Sequence, residues 1–256
     1  MLSASQQKYL TALQVKKYRQ KYRKFTVEGS KMVLELLAQT RIPVADIYGL
    51  ERWADENAAA LAPFYPIFNA VTEAELRKIS TLTTPNGVLA VAEFPAPDSG
   101  PVSGGFAFYL DGIRDPGNLG TILRVADWFG MTAVYCSADC ADAFSPKVVQ
   151  ASMGSVLRMP VVEAGLDDLV QMHPQLPVLG AVLGGENVFE ADLPGQGLLV
   201  IGNESSGIRP DLEALLTRRL TIPRGPGSSA ESLNASVAAG ILAALVMRAN
   251  AHMRKK

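Results

Sequence analysis

From Phe106 onward the chain alternates strand-length apolar runs with helix-length segments, and few folds tolerate that alternation. FAFYLD (Phe106 to Asp111), TAVYC (Thr132 to Cys136), PVLGAVL (Pro177 to Leu183), GLLVIG (Gly197 to Gly202) and RLTIP (ending at Pro223) read as strands, and another falls within Val156 to Val162. Between them, Leu119 to Phe129 (closed by Gly130), Lys147 to Ser152, Leu166 to Met172 and Ser232 to Arg248 read as helices. Strands that are apolar on both faces, separated by helices, predict a parallel sheet covered on both sides. Ligands of such sheets bind beyond the carboxyl ends of the strands.

Ahead of this region, FPAPDSGPVSGG (Phe94 to Gly105) loses all apolar periodicity in favour of Pro, Gly and Ser, which marks a linker. The predicted organisation of the 256 residues is a domain over 1–95, a linker over 96–105 and a second domain over 106–256. The first domain also reads as α/β. A helix is expected over Lys8 to Arg23 and a second after Gly29, with Ser30 as its N-cap and Val33, Leu34 and Leu37 at helical spacing. Strands are expected over Val44 to Leu50 and Gly87 to Ala92, with a helix over Thr72 to Lys78.

Lys plus Arg (24) nearly balance Asp plus Glu (25), so net charge does not select a polyanionic partner. The distribution is uneven. Lys8, Lys16, Lys17, Arg19, Lys21, Arg23, Lys24 and Lys31 face the single acid Glu28, and Arg254, Lys255 and Lys256 close the chain. Such an arm is either a solvated helix face or a contact for phosphates. Cys136 and Cys140 match no zinc spacing and cannot build a disulfide framework, so both are expected as free thiols in a reducing compartment. The polar N-terminus has no signal-peptide pattern, and no apolar run is long enough for a bilayer. A cytoplasmic location, with no membrane and no metal, is the expectation.

Three strand-to-helix loops are richer in Gly and polar residues than a connector needs: Asp111 to Gly130, Leu199 to Ile208, and Ile222 to Gly240. Each conspicuous residue has a local structural reading. Asn118 reads as a helix N-cap, Arg124 as a surface cation paired with Asp127 at i,i+3, and Glu204 as an exposed loop carboxylate. Ser232 reads as an N-cap, and Ser228 with Glu231 spells a capping box. Two enzyme classes fail on pattern. Gly112, Gly117 and Gly120 lack dinucleotide-fingerprint spacing. Only His173 and His252 are available to a Ser/His hydrolase, and no G-x-S-x-G elbow is present.

Taken in order, the loops resemble the three motifs of the SpoU (TrmH) branch of the SPOUT superfamily. DGIRDPGNLGTILRVA fits D-x-I-x-D-P-x-N-x-G-x-I-x-R-x-A, GNESSG fits G-N-E-x-x-G, and IP followed by SLNAS fits the third motif. Ser205 stands where a Gly is frequent, and the stretch from Pro223 to Ser232 is about two residues longer than in the family's pattern. KYRKFTVEGSKMVLELL resembles the ribosomal-protein-like RNA-binding domain that precedes many members. The resemblance implies an S-adenosylmethionine-dependent RNA ribose 2′-O-methyltransferase. Its C-terminal domain would carry a deep trefoil knot and form a homodimer. It implies catalytic roles for Asn118, Arg124, Glu204, Ser232 and Asn234, and donor contacts at Gly202, Ile222 and Leu233. Lys16, Lys17, Arg19, Lys21, Arg23 and Lys24 would face the RNA. Ribosomal RNA is favoured over transfer RNA, and the alternative is a non-catalytic RNA-binding module of the same fold. Arg124 acts either as proton acceptor or as electrostatic stabiliser. The second role is the easier one for a guanidinium, which hardly deprotonates.

Overall fold

The computed structural model describes residues 2–96 and 104–253, with side chains to residue 248. Most of the expected linker and the terminal Arg254, Lys255 and Lys256 lie outside the described residues. The chain forms two compact units, Met1–Pro97 with Phe144–Leu157, and Asp98–Ala143 with Arg158–Lys256.

In the first unit the helix expected over Lys8 to Arg23 is two helices, α1 (Ala4–Ala12) and α2 (Lys16–Tyr22). Val15 between them is extended, as β-branched residues readily are. Arg19 is only 3% exposed, and its Nη1 donates to the Leu13 carbonyl at 2.8 Å, so the break does not leave that acceptor unpaired. A Ser3–Gln6 capping box starts α1 earlier than expected. The four-stranded sheet has the order β1 (Lys24–Glu28), β4 (Val88–Glu93), β2 (Val44–Gly49), β3 (Phe68–Ala70). β4 is antiparallel to both neighbours, and β3 runs parallel to β2. Helix α3 (Ser30–Leu37) is capped at Gly29 rather than Ser30, whose hydroxyl instead accepts from Trp53 Nε1 at 2.8 Å. Helices α4 (Glu51–Glu56), α5 (Ala58–Leu61) and α6 (Glu73–Ile79) follow along the chain.

The second unit is built on six parallel strands: β5 (Phe106–Leu110), β6 (Val134–Cys136), β7 (Val161–Glu163), β8 (Val178–Asn187), β9 (Gly197–Ile201) and β10 (Arg218–Thr221). Their order is β10-β8-β9-β5-β6-β7. From β5 the chain builds outward through β6 to β7, then crosses to β8 on the other side. β9 therefore returns beside β5, and the carboxyl ends of these two buried strands adjoin at the point where strand order reverses. The helices are α7 (Pro116–Trp128), α9 (Leu166–Met172), α10 (Pro210–Glu213) and α11 (Ala235–Met253). α7 packs on α11, with Leu119, Ile122, Leu123 and Ala126 buried on the first and Ala239, Leu242, Ala243 and Val246 on the second. α11 begins at Ala235 and not at Ser232, so the Ser228–Glu231 pair lies in an extended loop and forms no capping box.

Helix α8 (Pro146–Ala151) packs with the first unit, against β1. Phe144 just before it meets Phe25 at 4.8 Å and Phe94 at 4.7 Å between ring centroids, an aromatic cluster in which Phe25 is fully buried.

Candidate active site

The loop after β5 is tied down on two sides. Gly112 donates its N–H to the Ser137 hydroxyl at 2.9 Å, and its carbonyl accepts from Asn203 Nδ2 at 2.7 Å. Asp111, 1% exposed, receives the Arg209 backbone N–H at 2.8 Å on Oδ2. Arg209 Nε approaches Oδ1 to 2.7 Å as an ion pair rather than along a hydrogen-bond direction. Burial disfavours the Arg209 charge, but Asp111 and Asp139 outweigh it and hold the guanidinium pKa above its usual value. This pairing joins residues 98 positions apart and is invisible to local pattern.

Behind the loop, Cys140 Sγ donates to the Leu110 carbonyl at 3.3 Å and accepts from Ile113 N–H at 3.3 Å. A hydrogen bond from the Cys136 thiol, against the effect of burial, lowers the Cys140 thiol to about 7, while that bond and burial push Cys136 well up. Both cysteines are free.

The loop after β9 is a tight hairpin. Asn203 and Gly207 exchange both backbone hydrogen bonds, at 3.0 and 2.8 Å, and Asn203 Oδ1 accepts from Ser205 N–H at 2.9 Å. Gly207 takes φ +70°, a conformation that costs other residues energy. A Cβ on Gly202 would lie 2.3 Å from the Gly207 carbonyl carbon, so this position accepts only glycine without backbone movement. The hairpin carries Glu204 at its exposed tip.

Three of the expected residues converge there. Asn118 Nδ2 donates to Glu204 Oε1 in a short hydrogen bond. Asn234 Nδ2 donates to Asn118 Oδ1 and to Glu204 Oε1, each at 2.9 Å. Asn118 is not the N-cap of α7. Asp115 is, accepting from Asn118 N–H at 2.8 Å, which frees the Asn118 side chain to reach across. Asn234 caps α11, because its Oδ1 accepts from Ser236 N–H at 2.9 Å and Val237 N–H at 3.3 Å. The cap fixes which end of the amide points where, so Nδ2 must face the acceptors.

Arg124 lies outside this cluster. It is exposed on α7, six residues and roughly 9 Å along the axis from Asn118. The expected Asp127 partner is taken by Arg158, whose Nη2 stands 2.6 Å from its carboxylate. Arg124 forms no hydrogen bond or ion pair with the described residues.

Beside the cluster, an open cleft of about 800 Å³ runs along the ends of β9 and β10 and is lined by Gly202, Glu204, Ile222, Ser232 and Leu233 among others. Among the described residues no group of three or more His, Cys, Asp or Glu is placed to hold a metal ion.

In the first unit, Lys16, Lys17, Lys21 and Arg23 are exposed. Lys24 is partly buried against Glu93 at 3.9 Å, and Arg23 lies over the Phe94 ring at 5.0 Å. Arg19, expected to face RNA, is instead the buried ligand of the Leu13 carbonyl. Only its position in a cationic run suggested otherwise. Asp111, Arg209 and Asn203, which hold the two loops together, are absent from the expected set. Asp111 and Asn203 stood at fixed positions of the first and second motifs, whereas Arg209 carried no signal.

Residues 105–244 match the model of the SpoU rRNA Methylase family, and residues 5–90 match the MRM3-like substrate binding domain. The chain is 31% identical to the 23S rRNA (guanosine(2553)-2′-O)-methyltransferase RlmP of Bacillus subtilis over 90% of this chain and 91% of that one. It is 33% identical to an uncharacterized tRNA/rRNA methyltransferase of Synechocystis over 65% of this chain, and there it spans 62% of the relative's length. A solved structure from Porphyromonas gingivalis assigned to the TrmH family superposes with a TM-score of 0.85 at 41% identity, covering 97% of this chain and 99% of that one. The AdoMet-bound rRNA methyltransferase of Sinorhizobium meliloti superposes with a TM-score of 0.86 at 28% identity, covering 97% of each chain.

Proposed function

This chain belongs to the SpoU rRNA methylase family, and on that premise we propose that it transfers a methyl group from S-adenosylmethionine to a ribose 2′-hydroxyl of ribosomal RNA. The observation that carries the reading is the Asn118–Glu204–Asn234 cluster, drawn from three distant stretches of chain to the side of one cleft.

The cleft suits the donor. Ile201, Ile222, Leu233 and Ile241 give it apolar walls for an adenine ring, and the hairpin from Gly202 to Ile208 offers backbone polar groups. Bound there, the donor supplies an electrophilic sulfonium methyl. What the protein must add is mainly position. Asn118 and Asn234 lock each other's amides through Glu204 and hold the starts of α7 and α11 together. We assign Arg124 to stabilising charge that develops on the ribose oxygen, a role suited to a cation with no internal partner. Ser232 supplies a hydroxyl from the cleft wall.

Exposed Lys16, Lys17, Lys21 and Arg23 support RNA contact by the first unit. Ribosomal RNA is favoured because relatives named for it align over nine-tenths of the chain or more. Superposition on the TrmH-family structure supports a trefoil knot in the second unit, and the substrate-binding model matched by residues 5–90 supports RNA binding by the first. The boundary expected at 95–106 is modified, because residues 144–157 pack with the first unit. Exposed Val237 and Met247 on α11 support a homodimer through that unit. No helix among the described residues is long and apolar enough to cross a membrane. Free cysteines support a cytoplasmic location.

The test is a map of 2′-O-methyl positions in total RNA from cells with the intact protein and with Arg124→Ala. One or more ribosomal sites should disappear in the variant. A difference confined to a base carbon or nitrogen would overturn the ribose assignment.

A further inference from the structure

Helix α2 carries a surface feature that the methyl-transfer reading does not use. Buried Arg19 anchors one side of the helix to the Leu13 carbonyl. On the outer side stand Tyr18 and Tyr22, 37% and 39% exposed. They are four residues apart and so share a helix face. Their rings are nearly parallel, 17° apart with centroids at 6.4 Å. Tyr9 meets Tyr22 edge-on at 5.2 Å and 78°, which steadies the Tyr22 ring from below. The Lys21 ammonium stands 5.5 Å from the Tyr22 ring centre.

Two costs are evident here. Large aromatic rings are left in water, and Lys17 and Lys21 repel each other at i,i+4. No acid on α1 or α2 relieves that repulsion, since the sequence holds no Asp or Glu before Glu28, and Asp46 and Glu93 act on Tyr9 behind the two rings. A partner that is both aromatic and anionic removes both costs at once. An unpaired nucleotide has that chemistry, with a π-face for the rings and a phosphate for the lysines. An apolar peptide would cover the rings but leave the cations unmatched.

We propose that Tyr18 and Tyr22 form a stacking platform for an unpaired nucleobase of the RNA substrate, with Lys17 and Lys21 holding the adjoining phosphates. The inference rests on the RNA methyltransferase reading and deepens it, because it assigns the first unit a preference for single-stranded segments. Tyr18 and Tyr22 recognise a base face rather than a base edge, so the platform tolerates different bases.

The test uses the full chain and an oligoadenylate of about twelve nucleotides with one central 2-aminopurine, whose fluorescence falls when it stacks on a ring. Wild-type protein should quench the probe on binding. Tyr18→Ala with Tyr22→Ala should lose the quench and weaken affinity roughly tenfold, the size of one base–aromatic stack. Tyr18→Phe with Tyr22→Phe should keep both, since stacking needs the ring and not the hydroxyl. Lys17→Ala with Lys21→Ala should keep the quench at saturation while flattening the salt dependence by about 1.4 in log–log slope. Tyr18→Ala alone, at an exposed position, guards against misfolding of the double variant and should show a partial loss. Wild-type affinity and quenching in the single and double tyrosine-to-alanine variants would overturn the platform and leave the tyrosines to a protein partner. Methyl transfer to ribosomal RNA by the wild type is followed in parallel. Its absence would count against the methyltransferase reading alone, because the quench needs no donor.

Discussion

Asn234 Nδ2 donates at 2.9 Å to Oδ1 of Asn118, a residue 116 positions earlier, while the Asn234 Oδ1 caps α11. One side chain thus starts a helix and fixes the site. Asn234→Asp should separate the two duties. Its carboxylate still caps, so melting should stay within a few degrees, but it turns an acceptor toward Glu204 and Asn118. We expect methyl transfer to fall by about 10² in single turnover, the scale of one lost orienting group. Asn234→Ala should show the same loss together with about 1 kcal/mol of lost stability.

Arg124→Ala should lower the transfer rate by about 10² to 10³ while donor affinity stays within about twofold. The reasoning is positional: Arg124 does not line the cleft. Single-turnover rates and calorimetric titration with S-adenosylhomocysteine separate these effects. A large loss of affinity with an unchanged rate would contradict the assignment.

Gly202→Ala should do the opposite. The added methyl would meet the Gly207 backbone at 2.3 Å, so the hairpin must open at the cleft wall. Donor affinity should drop at least about tenfold, since a site 1 Å out of place loses its contacts. Far-ultraviolet circular dichroism should remain that of the wild type.

Arg209→Ala removes the guanidinium beside the buried Asp111 carboxylate and leaves that carboxylate without its partner beneath the two loops. The loss should be about 2 kcal/mol in urea denaturation, below that of a fully buried pair because Arg209 is half exposed. Adding Asp111→Asn should recover part of it, since a neutral amide needs no countercharge. A double variant less stable than Arg209→Ala would show that the pairing does not act this way.

Acid should act on the first unit through Glu75. Backbone N–H groups of Thr72 and Leu2 donate to its carboxylate and lower its pKa to about 2. A depressed carboxylate stabilises the fold above the unfolded-state pKa, and that contribution fades as pH falls through about 2. Wild type and Glu75→Gln should therefore differ in melting temperature at pH 6 and converge near pH 2. A gap that widens toward acid would reverse the sign and refute the argument.

What the sequence discloses depends on how local each cause is. β5 and β9 are legible because burial on both faces leaves unbroken apolar runs. The start of α7 was open to reading too, since Pro116 at the first helical position points to Asp115 as the cap and not Asn118. The break between α1 and α2 has one weak local sign, β-branched Val15, while the Arg19 side chain that satisfies the freed Leu13 carbonyl is a contact that no propensity encodes. Short β3, and α4 and α5 before it, carry too few residues to show a period. The cluster itself joins residues 30, 86 and 116 positions apart, and no periodicity spans such distances. Only the resemblance of whole motifs made it foreseeable.

Phe144 completes an aromatic cluster with Phe25 and Phe94, yet it is made well after them. On a translating ribosome the first unit cannot finish its own interior until the opening strands of the second have already emerged. At about 5–20 residues per second the wait lasts seconds, during which Phe25 and Phe94 lack their cover. Recombinant fragments cut at residue 97 would make that temporary state permanent, so they are poor surrogates for RNA-binding work and apt to clump.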